Sequence, residues 1–197
     1  MPRPANPDVR RRLLEAGLAL VHARGFAASG VKDITDAAGV PKGSFYAYFP
    51  SKEAFAAAIL EYYWSDIEAR LMIPILEADG SASERITRFF NALADEHEAG
   101  DFLLGCLVGK LSLELGGSSD AIRDEIVRIL ARWDGALAAC VRAGQAGADG
   151  IRTDLDAEDL ASLLIEAWEG AALRGKVTRD RAPYDRFETV VVPALLH

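Results

Sequence analysis

Polar side chains suited to contacts with a nucleic acid are concentrated around residues 42–46. In this stretch a lysine, a glycine, a serine and a tyrosine lie toward the N-terminal and outer surface of a predicted short helix, the part that enters a major groove. One further lysine begins the preceding predicted helix, and another begins the following one, where backbone amides without helical partners suit a phosphate. The residues concerned are Lys32, Lys42, Gly43, Ser44, Tyr46 and Lys52.

The surrounding sequence supplies the two helices that would position these side chains. Apolar residues recur at helical spacing over residues 31–38, and Gly39 follows where the chain must leave the helix. Pro41 presets the backbone angle for the next helix, whose inner face can include Phe45 and Phe49. A helix, a glycine turn and a second short helix together predict a helix-turn-helix that binds DNA.

Charge is distributed unevenly along the chain. The formal net charge of the whole chain is −8. Residues 1–52 contain eight Lys/Arg and four Asp/Glu, a balance of +4, whereas the remainder contains 14 and 26, a balance of −12. A basic N-terminal segment on an acidic body is expected where only one end of a protein meets phosphates, although an ordinary solvated surface is the alternative.

The segment from Gly39 to Glu53 resembles the signature of TetR-type transcriptional repressors, and the resemblance extends from about Arg10 to about Leu60. The matching residues are Gly39, Val40, Lys42, Gly43, Ser44, Phe45, Tyr46, Tyr48, Phe49, Pro50, Ser51, Lys52 and Glu53. The resemblance implies that Lys32, Lys42 and Tyr46 face bases or sugars of double-stranded operator DNA. It also implies that Tyr48 and Lys52 hold phosphates, although packing alone is the other interpretation of Tyr48.

The remaining sequence also predicts helices, so the expected fold class is all-α. We expect an N-terminal three-helix domain with the helix-turn-helix, residues 1–52, and a helical ligand-binding and dimerisation domain, residues 53–197. A long helix is predicted over residues 51–73, where Pro74 would break or kink it. A shorter helix is predicted over residues 102–115.

The last two predicted helices begin near Asp156 and Pro183 and are apolar. In the TetR family the corresponding pair forms a four-helix bundle with its twin, and a helix-turn-helix that binds a palindrome needs two copies. We therefore expect a homodimer, whereas the alternative is that these helices only close the core of the monomer. The expected contacts across the two-fold axis include Leu163, Ala167, Val191 and Leu195.

The body of the chain resembles the NemR-like branch of the family, whose members respond to electrophiles and related small molecules. The matching residues are Gly105, Cys106, Leu107, Gly109, Leu111, Ser112 and Glu114, then Trp168, Glu169, Gly170, Ala171, Leu173 and Lys176. The resemblance implies that Cys106 senses a small-molecule effector. Reactive electrophiles are among the effectors that the resemblance implies. From the residues alone, Cys106 lies in mid-helix among apolar neighbours, where a cysteine is usually inert. Reactivity would need a cation to lower the thiol pKa, and Lys176 or Lys110 could supply it.

Aromatic residues of the body are candidates for the walls of an effector pocket, although an aromatic residue on a helix is more often ordinary core. The candidates are Trp64, Phe89, Phe90, Phe102, Trp133 and Trp168. The predicted effector site combines Cys106 and Lys176 with Phe102, Trp133 and Trp168. Glu166 and Glu169 could bind a polar group of the effector or face the partner subunit, and Cys140 is expected only to pack.

Other classes of protein find little support in the sequence. The three histidines are scattered without metal-ligand spacing and no catalytic signature is present, so no enzyme activity, metal or cofactor is expected. No apolar run reaches the roughly 18 residues of a membrane helix, and no secretory signal is present, so a cytoplasmic protein is expected. The remaining competitor is a helical protein-interaction module without DNA binding, which has no need of lysine and glycine at a helix N-terminus.

Overall fold

The computed structural model describes residues 6–197, and its first three helices occupy the predicted positions. These helices are α1 (Pro7–Arg24), α2 (Val31–Ala37) and α3 (Lys42–Tyr48). The first helix begins where the side-chain oxygen of Asn6 accepts the backbone N–H of Asp8 at 3.0 Å, which satisfies one of the amides that a helix start leaves without a helical partner.

The turn between α2 and α3 explains why the two helices stay short. Gly39 has a φ of 63°, the left-handed conformation that glycine adopts without steric cost. The backbone N–H of Val40 then donates to the carbonyl of Thr35 at 2.9 Å. Pro41 caps α3 in an extended conformation rather than lying inside its first turn.

A long helical segment follows the helix-turn-helix. It consists of α4 (Lys52–Ile67), a π-helical turn (Glu68–Met72) and α5 (Ile73–Leu76). Pro74 was predicted to break or kink this helix near residue 73, and it does not break it, because helical backbone continues to Leu76. Proline is tolerated here because it lies in the first turn of α5, immediately after a change of helix type.

The second predicted helix boundary that proved wrong lies before Cys106. Helix α6 spans Ala82–Ala99, and helix α7 spans only Leu107–Leu115. The residues predicted to extend α7 backwards are not helical, because Asp101, Phe102 and Gly105 have φ values of 52°, 55° and 68°. Cys106 therefore lies directly before α7 and not within a helix.

The C-terminal part of the chain is helical apart from a loop at residues 147–156 and a turn at residues 179–181. Its elements are α8 (Asp120–Ala146), α9 (Ala157–Thr178), α10 (Ala182–Arg186), a π-helical turn (Phe187–Val191) and α11 (Val192–Leu196). Residues 6–197 contain no strand, so the predicted all-α fold class is confirmed. Within the same range, no helix is long and apolar enough to cross a membrane.

The chain forms two compact units. One combines the chain up to Ser65 with Leu107–Arg128. Its described core includes the fully buried Leu13, Ile34 and Phe45, which join the three N-terminal helices. The predicted boundary after residue 52 separates a DNA-binding domain from a ligand-binding and dimerisation domain. It is a division by function and not by compactness, and it stays a prediction.

The other unit combines Asp66–Cys106 with Ile129–His197. Aromatic rings fill its core, and Phe90 is central among them. Its ring centroid lies 5.2 Å from that of Trp168 and 4.8 Å from that of Phe187. Trp133 also packs against Phe90, at 6.4 Å.

Candidate DNA-binding surface and effector site

Helix α3 presents one face to the core and the opposite face to solvent. Phe45 is fully buried, and its ring lies 4.9 Å from the ring of Phe55. This anchor leaves Lys42 and Gly43 exposed, and 58% of Tyr46 is exposed. The structure therefore brings these three predicted DNA-binding residues onto one open surface, with Ser44 half-buried at its edge.

The other predicted DNA-binding residues make contacts within the chain. The ammonium group of Lys52 donates to the carbonyl of Phe26 at 2.6 Å and lies 4.0 Å from the centre of its ring. The hydroxyl of Tyr48 accepts the backbone N–H of Asn6 at 3.0 Å, and the exposed Lys32 forms an ion pair with Asp36. Their contacts with DNA stay predictions.

Helix α7 holds the turn between α1 and α2. The two carboxylate oxygens of Glu114 accept the backbone N–H groups of Phe26 and Ala27, at 2.9 and 2.7 Å. The ammonium group of Lys110 donates to the carbonyl of His22, near the end of α1. Sequence reasoning missed this arrangement, because nothing in local sequence links an acidic residue to amides 87 and 88 positions earlier.

The neighbours of Cys106 include a carboxyl group. The half-buried thiol forms a hydrogen bond with Glu169 of α9, and this bond favours the charged carboxylate. Burial has the larger effect and raises the pKa of Glu169. The second carboxylate oxygen, Oε1, is buried and has no hydrogen-bond partner among residues 6–197.

Aromatic side chains enclose this part of the second unit. The ring of Tyr184 lies 5.7 Å from that of Phe102 and 5.2 Å from that of Trp168. Burial, together with the nearby Cys106 and Glu169, raises the pKa of Tyr184 to about 12. Tyr184 is therefore a neutral phenol at physiological pH, and its hydroxyl lies 2.9 Å from Nδ1 of His97.

The predicted effector-site residues are only partly brought together. Phe102 and Trp168 both pack against Tyr184. Lys176 lies beside the segment before Cys106, where its ammonium group donates to the carbonyl of Leu104 at 3.0 Å. Trp133 packs against Phe89 and Phe90 in the core. The participation of Glu169 was left open by the sequence, and the roles of His97 and Tyr184 were not anticipated.

Cys140 differs from Cys106 in its surroundings. It is buried on α8, and its sulfur lies 3.8 Å from the carbonyl oxygen of Ala82. Burial raises the pKa of the Cys140 thiol, which disfavours the reactive thiolate.

Because the pKa of Glu169 is raised, we expect the free energy of unfolding to depend on pH through this residue. The folded protein binds a proton at this carboxyl more tightly than the unfolded chain, whose carboxyl titrates near 4.5. The free energy of unfolding of the parent therefore falls, relative to Glu169→Gln, as the pH rises above that value. Urea unfolding at about pH 5 and about pH 8 should show a larger relative gain for the variant at the higher pH.

Glu166→Gln is the matched control, because Glu166 is exposed on the same helix. Its difference from the parent should change little with pH. An equal change for both variants would show that burial of Glu169 is not the cause.

Comparison with known proteins decides the family. Residues 13–59 match the family model for bacterial regulatory proteins of the tetR family. Residues 82–191 match the model for the tetracyclin repressor-like C-terminal domain, which covers more than half of the chain. The chain belongs to the TetR family of transcriptional regulators. This family consists of regulators that bind operator DNA and small-molecule effectors and form dimers, and it is not a class of enzymes.

Several curated TetR-family relatives match nearly the whole chain. The HTH-type transcriptional repressor DhaR of Mycobacterium sp. strain GP1 is 40% identical over 98% of this chain and 94% of the relative. The transcriptional regulator AcuR of Cereibacter sphaeroides is 35% identical over 94% and 85%. The repressor NemR of Escherichia coli K12 is 32% identical over 90% and 89%.

Solved structures agree with this assignment. The reduced form of E. coli NemR superposes with a TM-score of 0.84 at 28% identity, covering 96% of this chain and 97% of that one. A TetR regulatory protein from Rhodobacter sphaeroides gives a TM-score of 0.85 at 32% identity, covering 95% and 98%. These matches confirm the predicted family, with NemR among the relatives, and favour a DNA-binding regulator over an interaction module without DNA.

Proposed function

We propose that this TetR-family regulator is a homodimeric, cytoplasmic repressor that leaves its operator when a small molecule binds or reacts near Cys106. One observation carries the proposal. Cys106 directly precedes α7, and α7 supplies the Glu114 carboxylate that holds the amides of Phe26 and Ala27 before the helix-turn-helix. A change at Cys106 can therefore act along the chain on the residues that support DNA binding.

The surroundings of Cys106 support a ligand site of mixed character. Phe102, Trp168 and Tyr184 form a buried apolar cluster there, and the Oε1 atom of Glu169 is a carboxylate oxygen without a partner among the described residues. Effector sites are commonly apolar with a few placed polar groups. An electrophile with an activated double bond would form a bond between its carbon and the Cys106 sulfur, and the thiol proton would end on the adjacent carbon.

Exposed apolar side chains of the protomer are evidence for the proposed dimer. Parts of α9 and of the last helical segment remain exposed in the protomer, and a shallow groove of about 260 Å³ runs between Ala167 and Val191. The exposed residues include Leu163, Leu173, Val177 and Val190. We propose that the two helical segments pair with their copies about a two-fold axis and bury more than about 2,000 Å² in total.

The proposed DNA contacts predict different effects for two kinds of variant. Tyr46→Ala or Lys42→Ala should weaken binding to a selected operator by about 1–3 kcal/mol per lost base contact, which is more than the loss in non-specific binding. Lys52→Ala should weaken binding to all duplexes alike and reduce the salt slope by roughly one per lost phosphate contact. Fluorescence anisotropy across a salt series, with an operator selected from random duplexes, measures both.

Arg123→Ala serves as the control, because it removes one positive charge from an exposed residue of α8 outside the proposed contacts. It should bind like the parent. If Tyr46→Ala and Lys42→Ala also bind like the parent at every salt concentration, α3 does not contact the bases.

A further inference from the structure

A groove in the second unit lies apart from the proposed Cys106 site. It has a volume of about 430 Å³, within the usual range for small-molecule pockets. Its floor includes Leu76 of α5, and Ala136, Ala139 and Ala143 of α8 line one side. Alanine side chains are short, so this part of α8 leaves open the space that larger residues would fill.

The groove lies next to the π-helical turn Glu68–Met72, whose last residue also lines it. Turns of this type occur frequently at functional sites. Arg132 of α8 fixes the turn, because two of its guanidinium nitrogens donate to the two carboxylate oxygens of Glu68, at 2.6 and 3.2 Å. This ion pair therefore holds the π-helical turn against α8 beside the groove.

Arg85 contributes a cation to this groove. One terminal nitrogen, Nη1, donates to the carbonyl of Leu76 at 2.6 Å and so holds the guanidinium in place. The Nε atom is buried and has no hydrogen-bond partner among residues 6–197. Buried N–H groups are normally hydrogen-bonded, so the Nε atom of Arg85 is an exception among the described residues.

The other polar groups around the groove narrow the chemistry of an occupant. The buried thiol of Cys140 has a raised pKa and is a neutral part of the wall. The Asp149 carboxylate, which also influences Cys140, accepts the backbone N–H of Ala82 at 2.7 Å. Glu77 is exposed at the rim of the groove. Its carboxylate would repel an occupant that carries two negative charges more strongly than one that carries a single negative charge.

We infer that this groove binds a small monocarboxylate with an apolar body. The carboxylate would accept hydrogen bonds from Nε and the second terminal nitrogen of Arg85, the paired geometry that a planar guanidinium offers. The apolar body would lie on Leu76 and the alanines of α8. This second ligand site is independent of the proposed chemistry at Cys106.

The probe for the test is octanoate, titrated calorimetrically into the full-length protein, with 1-octanol as the uncharged analogue. Octanoate should bind at least about tenfold more tightly than 1-octanol, because only the carboxylate can pair with Arg85. Arg85→Gln should remove this difference. Arg88→Gln is the matched control, because Arg88 lies one turn later on α6, is exposed, and donates to the carbonyl of Asp79.

A second pair of variants tests the groove without changing its cation. Ala139→Trp adds bulk from an exposed position and should abolish octanoate binding, whereas Ala131→Trp, at another exposed position of α8, should not. Cys106→Ser should bind octanoate like the parent, whatever its response to electrophiles. The proposal is overturned if octanoate fails to bind the parent, if 1-octanol binds equally well, or if Ala139→Trp retains binding.

Discussion

Ala167→Asp is expected to convert the dimer into monomers at micromolar concentration. Ala167 is half-buried in the protomer and lines the groove between α9 and the last helical segment. Pairing about a two-fold axis would bring two copies of the new carboxylate into an apolar interface, and an unpaired buried charge costs about 3–5 kcal/mol. Sedimentation velocity at several concentrations measures the change directly.

The control is Ala131→Asp, which places the same charge at an exposed position of α8. It should sediment as a dimer. The far-ultraviolet circular dichroism of Ala167→Asp separates dissociation from unfolding, since a folded monomer keeps its helical signal. A dimeric Ala167→Asp protein would mean that α9 does not form the interface.

Cys106→Ser is expected to keep operator binding and to lose release by N-ethylmaleimide completely. The half-buried Cys106 is more accessible than Cys140, which is 5% exposed and whose pKa is raised by burial. The reagent should therefore modify Cys106 first, and the added bulk should strain the packed residues around Phe102 and Tyr184. Mass spectrometry identifies the modified cysteine, and a mobility-shift assay measures release.

Cys140→Ser is the matched variant and should respond to the reagent like the parent. If Cys106→Ser still releases DNA normally after treatment, then Cys106 is structural. The effector would in that case act by reversible binding, which leaves the assignment of the DNA-binding surface unaffected.

Local sequence was sufficient for the elements that depend on short-range chemistry. The capping box of α6 is an example, because Ser81 and Glu84 lie three residues apart and bond each other's backbone amides. The same holds for Gly39, whose left-handed conformation follows from its position between two short helices. Such features involve neighbours in the chain, so residue types and spacing are enough to predict them.

The segment before α7 shows where local reasoning failed. Residues 102–106 have helical composition, yet Asp101 and Phe102 adopt left-handed conformations that glycine usually supplies. Burial of Phe102 against Tyr184, more than eighty positions later, accompanies this backbone. A contact between distant parts of the chain has no signature in a short window of sequence.

The candidate effector site was predictable in composition but not in chemistry. The sequence suggested a lysine beside Cys106, whereas the Cys106 thiol donates its hydrogen bond to the Glu169 carboxylate. Lys176 instead donates to the carbonyl of Leu104. Helix periodicity places these residues of α9 on a face, but it does not say which of them reaches a residue on a separate, irregular segment.

The bonds from Glu114 to the amides of Phe26 and Ala27 bear on modularity. The three N-terminal helices resemble a module that could be exchanged between regulators. Two amides of the turn between α1 and α2, however, donate to a carboxylate that lies 87 and 88 positions later in the chain. A chimaera that took only the first sixty or so residues would leave those amides to water or to an unrelated side chain. The segments that must be transferred together to preserve the DNA-binding helices are therefore not contiguous in the chain, and they include α7.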